Sequence, residues 1–128
     1  MDPVPINTQQ TLLLAKAYAD GLSSRNIKST AGTLTQLEQA EGVILHNTGA
    51  SGATVFVTKV PKAGDSIIAV VRAAQALTID LPAGAIIDGV ATDGQNYTAD
   101  AVGEFLVLRC VVDGAWSRIS TGGTWTAA

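Results

Sequence analysis

The side chains of this sequence that could do chemistry are few, and their types limit the reactions they could support. His46 is the only histidine and Cys110 the only cysteine. A metal site or proton relay built on several histidines therefore cannot form within one chain, and neither can an internal disulfide. His46 and Cys110 both lie in strand-like patterns. We expect His46 to be a strand or rim residue satisfied by backbone groups, and Cys110 to be a buried, inert thiol.

A second group of candidates is acidic. Asp88, Asp93 and Asp100, with Asn96 between them, occur in the irregular stretch "DGVATDGQNYTAD". Such a loop could offer oxygen ligands to calcium, but the spacing does not match an EF-hand loop. Asp-Gly pairs are typical of turns, so we interpret these acids as solvated turn residues. The sequence predicts no catalytic residue, no metal site and no cofactor, and we do not expect an enzyme.

The end of the chain carries two arginines that could meet. The segment "GEFLVLRCVVDGAWSRIS" predicts two strands joined by Asp113-Gly114, a strong hairpin signal. A two-residue loop would place Arg109 directly opposite Arg118, which is unfavourable by up to about 1 kcal/mol between exposed like charges. Either both guanidinium groups splay into water, or an acidic group from a neighbouring subunit or partner protein lies beside them.

Two tryptophans are the largest side chains available as anchors. Trp116 could pack on Val111, and Trp125 could hold the C-terminus against the rest of the fold. Alternatively, both tryptophans lie at a subunit interface, while ligand contact is disfavoured because no polar sugar-binding set accompanies them. We therefore treat Arg109, Arg118, Trp116 and Trp125 as candidate residues of a subunit or partner interface.

Composition favours a protein that buries surface against other chains. The 128 residues fit one ordinary domain, and 47% of them are hydrophobic while only 15% are charged. This balance excludes disorder and leaves few charges to cover a free monomer. The net charge is −3 and no basic cluster occurs, so nucleic acid is not an expected partner. The apolar run Leu12 to Ala15 is too short for a signal peptide or membrane span, so we expect a cytoplasmic product without membrane association.

The first third of the sequence predicts an arm and two helical pieces. Residues 1–7 contain Pro3 and Pro5, which favour an extended arm. Residues 8–41 form a helical and loop segment, with a helix from Thr8 to Asp20. A short helical turn follows, opened by Thr33 with Gln36 and closed by Gly42.

Residues 42–128 predict a β-body, because the hydrophobic period changes to two from Gly42 onward. "VILHN" and "TVFVT" flank the glycine-rich "TGASGA" and predict a hairpin, whereas "SIIAVVRAA" predicts a strand buried on both faces. "ALTIDLPAG" alternates apolar and polar residues before a turn at Pro82 to Gly84. About seven such strands predict a mainly β fold, an antiparallel β-sandwich or barrel preceded by one N-terminal helix and a short helical turn.

A family resemblance is carried by "LTQLEQAEGVILHNTGASGATVFVTKVPKAGDSIIAVVRAAQALTIDLPAGAII" and the closing "GAWSRISTGGTW". These segments resemble small structural proteins of tailed bacteriophages. They are similar to the β-domains of capsid decoration proteins and of head or tail fibre proteins. In those domains a short helical segment precedes a "GVILxN" strand, a threonine-rich hairpin, an "AAQALTID" strand and a tryptophan-bearing end.

The resemblance implies a structural virion protein. The short chain with its own Met1 and no repetitive shaft favours a capsid decoration (cement) protein, which is commonly a trimer that ties neighbouring capsomers together. The expected partners are sister copies and the major capsid protein, and the expected location is the capsid surface. In this hypothesis Pro3, Val4, Pro5 and Ile6 contact the capsid. The alternative is a head-fibre or tail-fibre domain that binds a receptor or carbohydrate, with "TDGQNY" near Tyr97 as its candidate patch.

Overall fold

The computed structural model describes residues 26–87 and 95–127. The predicted arm, the predicted helix from Thr8 to Asp20, and the acids Asp88 and Asp93 lie outside the described residues. The described part of the chain is mainly β, with one short helix and two mixed sheets. No helix within these ranges has the length and apolar character needed to cross a membrane.

The described residues form eleven strands, most of them short. They are β1 (Ile27–Lys28), β2 (Gly32–Thr33), β3 (Val43–His46), β4 (Thr54–Val57), β5 (Ser66–Val70), β6 (Leu77–Asp80), β7 (Ile86–Ile87), β8 (Asn96–Ala99), β9 (Phe105–Val112), β10 (Ala115–Gly122) and β11 (Thr126–Ala127). Strand β6 shows why they form: Leu77 and Ile79 are buried, whereas Thr78 and Asp80 are half-buried. The predicted period of two is confirmed there, as is the turn after it, where Pro82 O accepts a hydrogen bond from Ala85 N.

The two sheets are built from alternating strands. One has six strands in the order β1-β3-β5-β9-β10-β7, and the other has five in the order β11-β8-β6-β4-β2. From β1 to β9, each strand therefore lies in the opposite sheet from the strand before it. Because the chain crosses to the other sheet and back between β3 and β5, these neighbours run parallel, as do β4 and β6. The same geometry recurs between β1 and β3 and between β2 and β4.

This topology corrects the predicted antiparallel body of about seven strands. The sheets are mixed, and "TGASGA" carries the chain from one sheet to the other instead of closing a hairpin. A glycine-rich turn between two short strands has the same sequence signature in both cases, so pattern alone does not separate them. The crossings also place strands of similar spacing side by side, although the sequence shows no exact repeat. Val43 lies beside Ile67, 24 residues later in the chain, and Thr54 lies beside Leu77, 23 residues later.

One hydrophobic cluster joins the two sheets. It includes Leu45 and Ile67 from the six-stranded sheet and Phe56 and Ile79 from the five-stranded sheet, all fully buried. A strand with one such face contributes every second side chain to the cluster, which is the pattern of β3, β4 and β5. Since burial of apolar area is the main stabilising contribution in folding, this shared cluster holds the two sheets together.

Helix α1 (Gln36–Glu41) confirms the predicted short helical turn but begins later than expected. Its N-cap is Thr35 instead of Thr33. The Thr35 hydroxyl accepts a hydrogen bond from Glu38 N at 3.1 Å, and the Glu38 carboxylate accepts one from Thr35 N at 2.8 Å. This reciprocal capping box satisfies two backbone donors that the helix itself leaves unpaired. The helix ends at Gly42, as predicted, where φ is 90°.

A buried polar network attaches α1 to the connection after β4. The fully buried Gln39 accepts a hydrogen bond from Lys59 N at 2.7 Å through Oε1. Its Nε2 donates to the carboxylate of buried Asp65 at 3.2 Å, and Gln36 Nε2 donates to the same oxygen at 2.7 Å. Lys62 N is a further donor to that oxygen, at 3.0 Å. Buried polar groups are tolerated when they are paired in this way, so the network fixes α1 beside the start of β5.

Glu104 performs a similar role at the C-terminal end. Its carboxylate accepts hydrogen bonds from Thr124 N at 2.6 Å, Ala101 N at 2.8 Å and Asp100 N at 3.2 Å. These backbone donors, first Thr124 and then Ala101, lower the pKa of Glu104 below its ordinary value of 4.5. The carboxylate thus joins the turn before β9 to the segment that carries Trp125.

The lowered pKa of Glu104 predicts a pH-dependent contribution to stability. A carboxylate with a depressed folded-state pKa stabilises the fold above its unfolded-state pKa, and this contribution is lost as pH falls through the folded-state value. Glu104→Gln should therefore unfold at a lower temperature than the parent chain at pH 7, and the difference should shrink as pH falls from about 5 to 3. Thermal unfolding at a series of pH values measures this. A difference that stays constant over that range would contradict the role of the charge.

A candidate assembly surface on the six-stranded sheet

The β9–β10 hairpin forms as predicted, but its register differs. Val112 lies beside Ala115, and a β-bulge between Ala115 and Trp116 then shifts the pairing by one residue. Arg109 consequently lies beside Ser117, and Arg118 beside Leu108. The predicted pair of facing arginines is therefore wrong, because the bulge moves the two side chains out of register.

The structure gives the two arginines different surroundings. Arg109 is exposed and lies between Ser66 of β5 and Ser117 of β10. Arg118 places its guanidinium carbon 5.7 Å from the centroid of the Tyr97 ring, a cation–π geometry. Tyr97 itself is buried and donates its hydroxyl to Gln95 Oε1 at 3.2 Å. An acidic group between the arginines is no longer required to explain their positions.

Both tryptophans belong to the core of their own chain. Trp116 is fully buried and lies beside Cys110 in register, whereas Val111, its predicted packing partner, is 65% exposed. Trp125 is nearly buried, and its Nε1 donates to Phe105 O at 2.9 Å. The C-terminus is therefore held to the fold by Trp125, as one alternative predicted. The other alternative, an interface made by both tryptophans, is not what the structure shows, because their side chains are enclosed within the chain.

The chemistry-bearing residues have local roles. His46 Nδ1 lies 3.0 Å from the Thr48 hydroxyl and accepts a hydrogen bond from Thr48 N at 3.3 Å. Cys110 is buried, its Sγ donates to Val112 O, and burial raises the pKa of its thiol. Asp100 is exposed. Across residues 26–87 and 95–127, no group of three or more His, Cys, Asp or Glu side chains could hold a metal ion.

A continuous row of aliphatic side chains crosses the exposed face of the six-stranded sheet. Ile27 of β1 lies beside Ile44 of β3, Ile44 beside Ile68 of β5, and Ile68 beside Val107 of β9. The three isoleucines are 47%, 38% and 37% exposed, and Val107 is half-buried. We call these four residues the aliphatic row. With neighbouring strands about 4.8 Å apart, the row is a strip about 15 Å long that no described residue covers.

Two further rows flank the aliphatic row on the same face. On one side are His46, Val70 and Phe105, which are neighbours across β3, β5 and β9. The Phe105 ring lies over Gly122 of β10 so closely that a Cβ at position 122 would collide with it. On the other side is the polar row of Ser66, Arg109 and Ser117. The exposed face is therefore apolar at its centre and polar on one flank, and its other flank is apolar at Val70 and Phe105 and ends at His46.

The five-stranded sheet is more polar at the matching positions. Val55, Thr78, Thr98 and Thr126 are neighbours across β4, β6, β8 and β11. The hydroxyl oxygens of Thr78 and Thr98 lie 2.8 Å apart, at hydrogen-bonding distance. We call these four residues, three of which carry a hydroxyl group, the hydroxyl row. Because hydroxyl groups bind water and aliphatic groups do not, the aliphatic row makes the six-stranded sheet the more apolar of the two faces.

The segment that forms β5 contains a signal for this surface, but the same pattern is typical of a strand buried on both faces. In "SIIAVVRAA" apolar residues occur at both alternating positions, which predicts burial on both faces. In the structure Ile67 and Ala69 are buried, whereas Ile68 is exposed and Val70 half-buried. The second apolar face is real, but nothing in the described chain covers it.

No family model, curated protein or solved structure matches this chain.

Proposed function

We propose that this chain is a structural virion protein of a tailed bacteriophage, a capsid decoration protein that binds the outside of the head and stabilises contacts between capsomers. The observation that carries the proposal is the aliphatic row, an apolar strip exposed on one sheet face of a chain with few charges. A protein that works by covering other proteins needs such a surface. The phage-like strand texture of residues 33–125 supports the same class.

In this proposal the two sheets form a β-sandwich around their shared core, and the body assembles as a homotrimer on the capsid surface. Its partners are sister copies and the major capsid protein, and no reaction, cofactor or nucleic acid takes part. A rigid body suits this role because little conformational entropy is lost on docking. Many copies on a repetitive shell then bind more tightly than one copy does, through avidity.

The proposal assigns the shell contact to the arm, at Pro3, Val4, Pro5 and Ile6. Prolines reduce the freedom of the unbound chain, so an arm of this composition loses less entropy on docking than a flexible tail. The alternative, a fibre domain that binds carbohydrate through the patch near Tyr97, has less support because Tyr97 is buried. Sugar stacking needs an exposed aromatic face.

Co-sedimentation with emptied heads of the encoding phage tests both parts. We expect the full chain to pellet with the heads, and the chain lacking residues 1–7 to remain in the supernatant with an unchanged thermal midpoint. Gln9→Ala combined with Gln10→Ala, just beyond the arm, is the matched control and should pellet like the parent chain. Failure of the full chain to pellet would contradict the decoration role. Retained binding after the deletion would contradict only the arm assignment.

A further inference from the structure

We infer that sister copies of this chain associate through the exposed face of the six-stranded sheet, with the aliphatic row at the centre of the contact. This inference rests on the proposed function, because that function gives the oligomer its biological role. It goes further by naming what binds to the candidate surface. The occupant of the face is a second copy of the same chain. The arm is thereby left free for the shell.

The size of the face suits a weak interface between copies. Its six strands contain 29 residues, because β1 and β7 have only two residues each. At about 3.3 Å by 4.8 Å per residue, the strands cover about 460 Å² per copy, or about 900 Å² for two copies. A stable protein–protein interface buries about 1,200 to 2,000 Å² in total, so this face has the size of a weak or transient contact.

The charge on the face favours a copy of itself as the occupant. In the aliphatic row and its two flanking rows, the described residues include no carboxylate, and the only permanent charge is Arg109 at the polar margin. A partner protein that recognised this face through opposite charge would need more positive charge than the single Arg109 at its edge provides. An apolar strip matches another apolar strip without any charged counterpart, and each sister copy supplies one.

The sheet edges are less suited to assembly than the face. The described edge strands are β1 and β7 in one sheet and β2 and β11 in the other, and each has two residues. Strands this short offer few backbone groups to a strand of another chain, and short edges are a known means of avoiding edge pairing. Face-to-face packing remains, in which the side chains of sheets from neighbouring copies interdigitate at a sheet separation of about 10 Å.

Analytical ultracentrifugation of the full chain and two matched variants tests the inference. Ile68→Glu puts a charge at the centre of the aliphatic row, and Val55→Glu puts one on the hydroxyl row of the other sheet, at nearly equal exposure of 37% and 38%. We expect the parent chain to sediment as an oligomer of the 13.1 kDa chain. Ile68→Glu should weaken association at least tenfold, and Val55→Glu should leave it unchanged. Circular dichroism checks that both variants are folded.

Ile68→Thr keeps the β-branched shape and introduces only a hydroxyl, so it remains informative if Ile68→Glu fails to fold. We expect it to weaken association as well, by a smaller factor. A dimer or a trimer that dissociates on these substitutions supports the face. Unchanged association of both Ile68 variants, or equal weakening by Val55→Glu, overturns it. A monomeric parent chain that still binds heads overturns this inference and the proposed homotrimer but not the decoration role, whereas an oligomer that ignores heads overturns the decoration role alone.

Discussion

Trp116→Ala is expected to lower the free energy of unfolding by about 3 to 5 kcal/mol, the usual range for truncating a large buried aromatic side chain. Trp116 is the largest fully buried side chain of the described residues. It lies in β10 beside Ile87 of β7 and Cys110 of β9. Loss of the indole removes apolar burial and leaves a cavity between strands that backbone hydrogen bonds hold in place. Urea unfolding measures the change through the transition midpoint.

Trp116→Phe tests whether the lost stability comes from the volume of the buried side chain or from hydrogen bonding by the indole. The indole Nε1 of Trp116 is buried and has no hydrogen-bond partner in the described structure, so removing that N–H leaves no acceptor unpaired. We expect this variant to lose less than half as much stability as Trp116→Ala. Ile119→Ala, on the same strand but at a 58% exposed position, is the matched control and should change stability by less than about 0.5 kcal/mol. A loss below about 1 kcal/mol for Trp116→Ala would contradict its central place in the core.

Asn47→Ala is expected to cost about 2 to 4 kcal/mol, because one buried side chain makes four hydrogen bonds to backbone groups. Asn47 is fully buried directly after β3. Its Oδ1 accepts from Arg72 N at 2.7 Å and from Ala73 N at 2.9 Å. Its Nδ2 donates to Ala73 O at 3.2 Å and to Gln75 O at 3.1 Å. Alanine leaves all four backbone groups without this partner, and urea unfolding measures the loss.

Asn47→Asp distinguishes the hydrogen bonds that Asn47 accepts from those that it donates. The carboxylate keeps the acceptors for Arg72 N and Ala73 N but removes both donors and faces two carbonyl oxygens. We expect a loss of stability here too, growing as pH rises and the carboxylate ionises. Ser51→Ala, in the exposed connection that follows, is the control and should be nearly neutral. If Asn47→Ala were as neutral as this control, Asn47 would not be holding the connection from β5 to β6.

Asn47 also shows how a connection that crosses between the two sheets is stabilised. It ends the strand β3, and its four partners follow the parallel neighbour β5. Each crossing must satisfy backbone groups that no sheet pairs, and a buried asparagine supplies both donors and acceptors in a small volume. Nothing in "HNTG" separates an asparagine of this kind from an ordinary turn asparagine, since the partners lie 25 to 28 residues away.

Local signals in the sequence predicted the local structure well. The alternation in "ALTIDL", the turn after Pro82, the hairpin at Asp113-Gly114 and the helix closed by Gly42 are all confirmed. Each depends on conformational preferences or hydrogen bonds between residues a few positions apart. Burial of Cys110 and the anchoring of the C-terminus by Trp125 also followed, because large apolar side chains and free thiols are usually enclosed.

By itself, the sequence determined a mainly β chain with short strands, few charges and a surplus of apolar side chains. Only the tertiary structure decided which strands are neighbours, because a turn that crosses between sheets and a turn that closes a hairpin use the same residues. It also decided the register of Arg109 and Arg118, which one bulge residue changes, and it aligned Ile27, Ile44, Ile68 and Val107 from four distant segments into one exposed row. Such alignment depends on non-local strand pairing, which the period of a single strand does not encode.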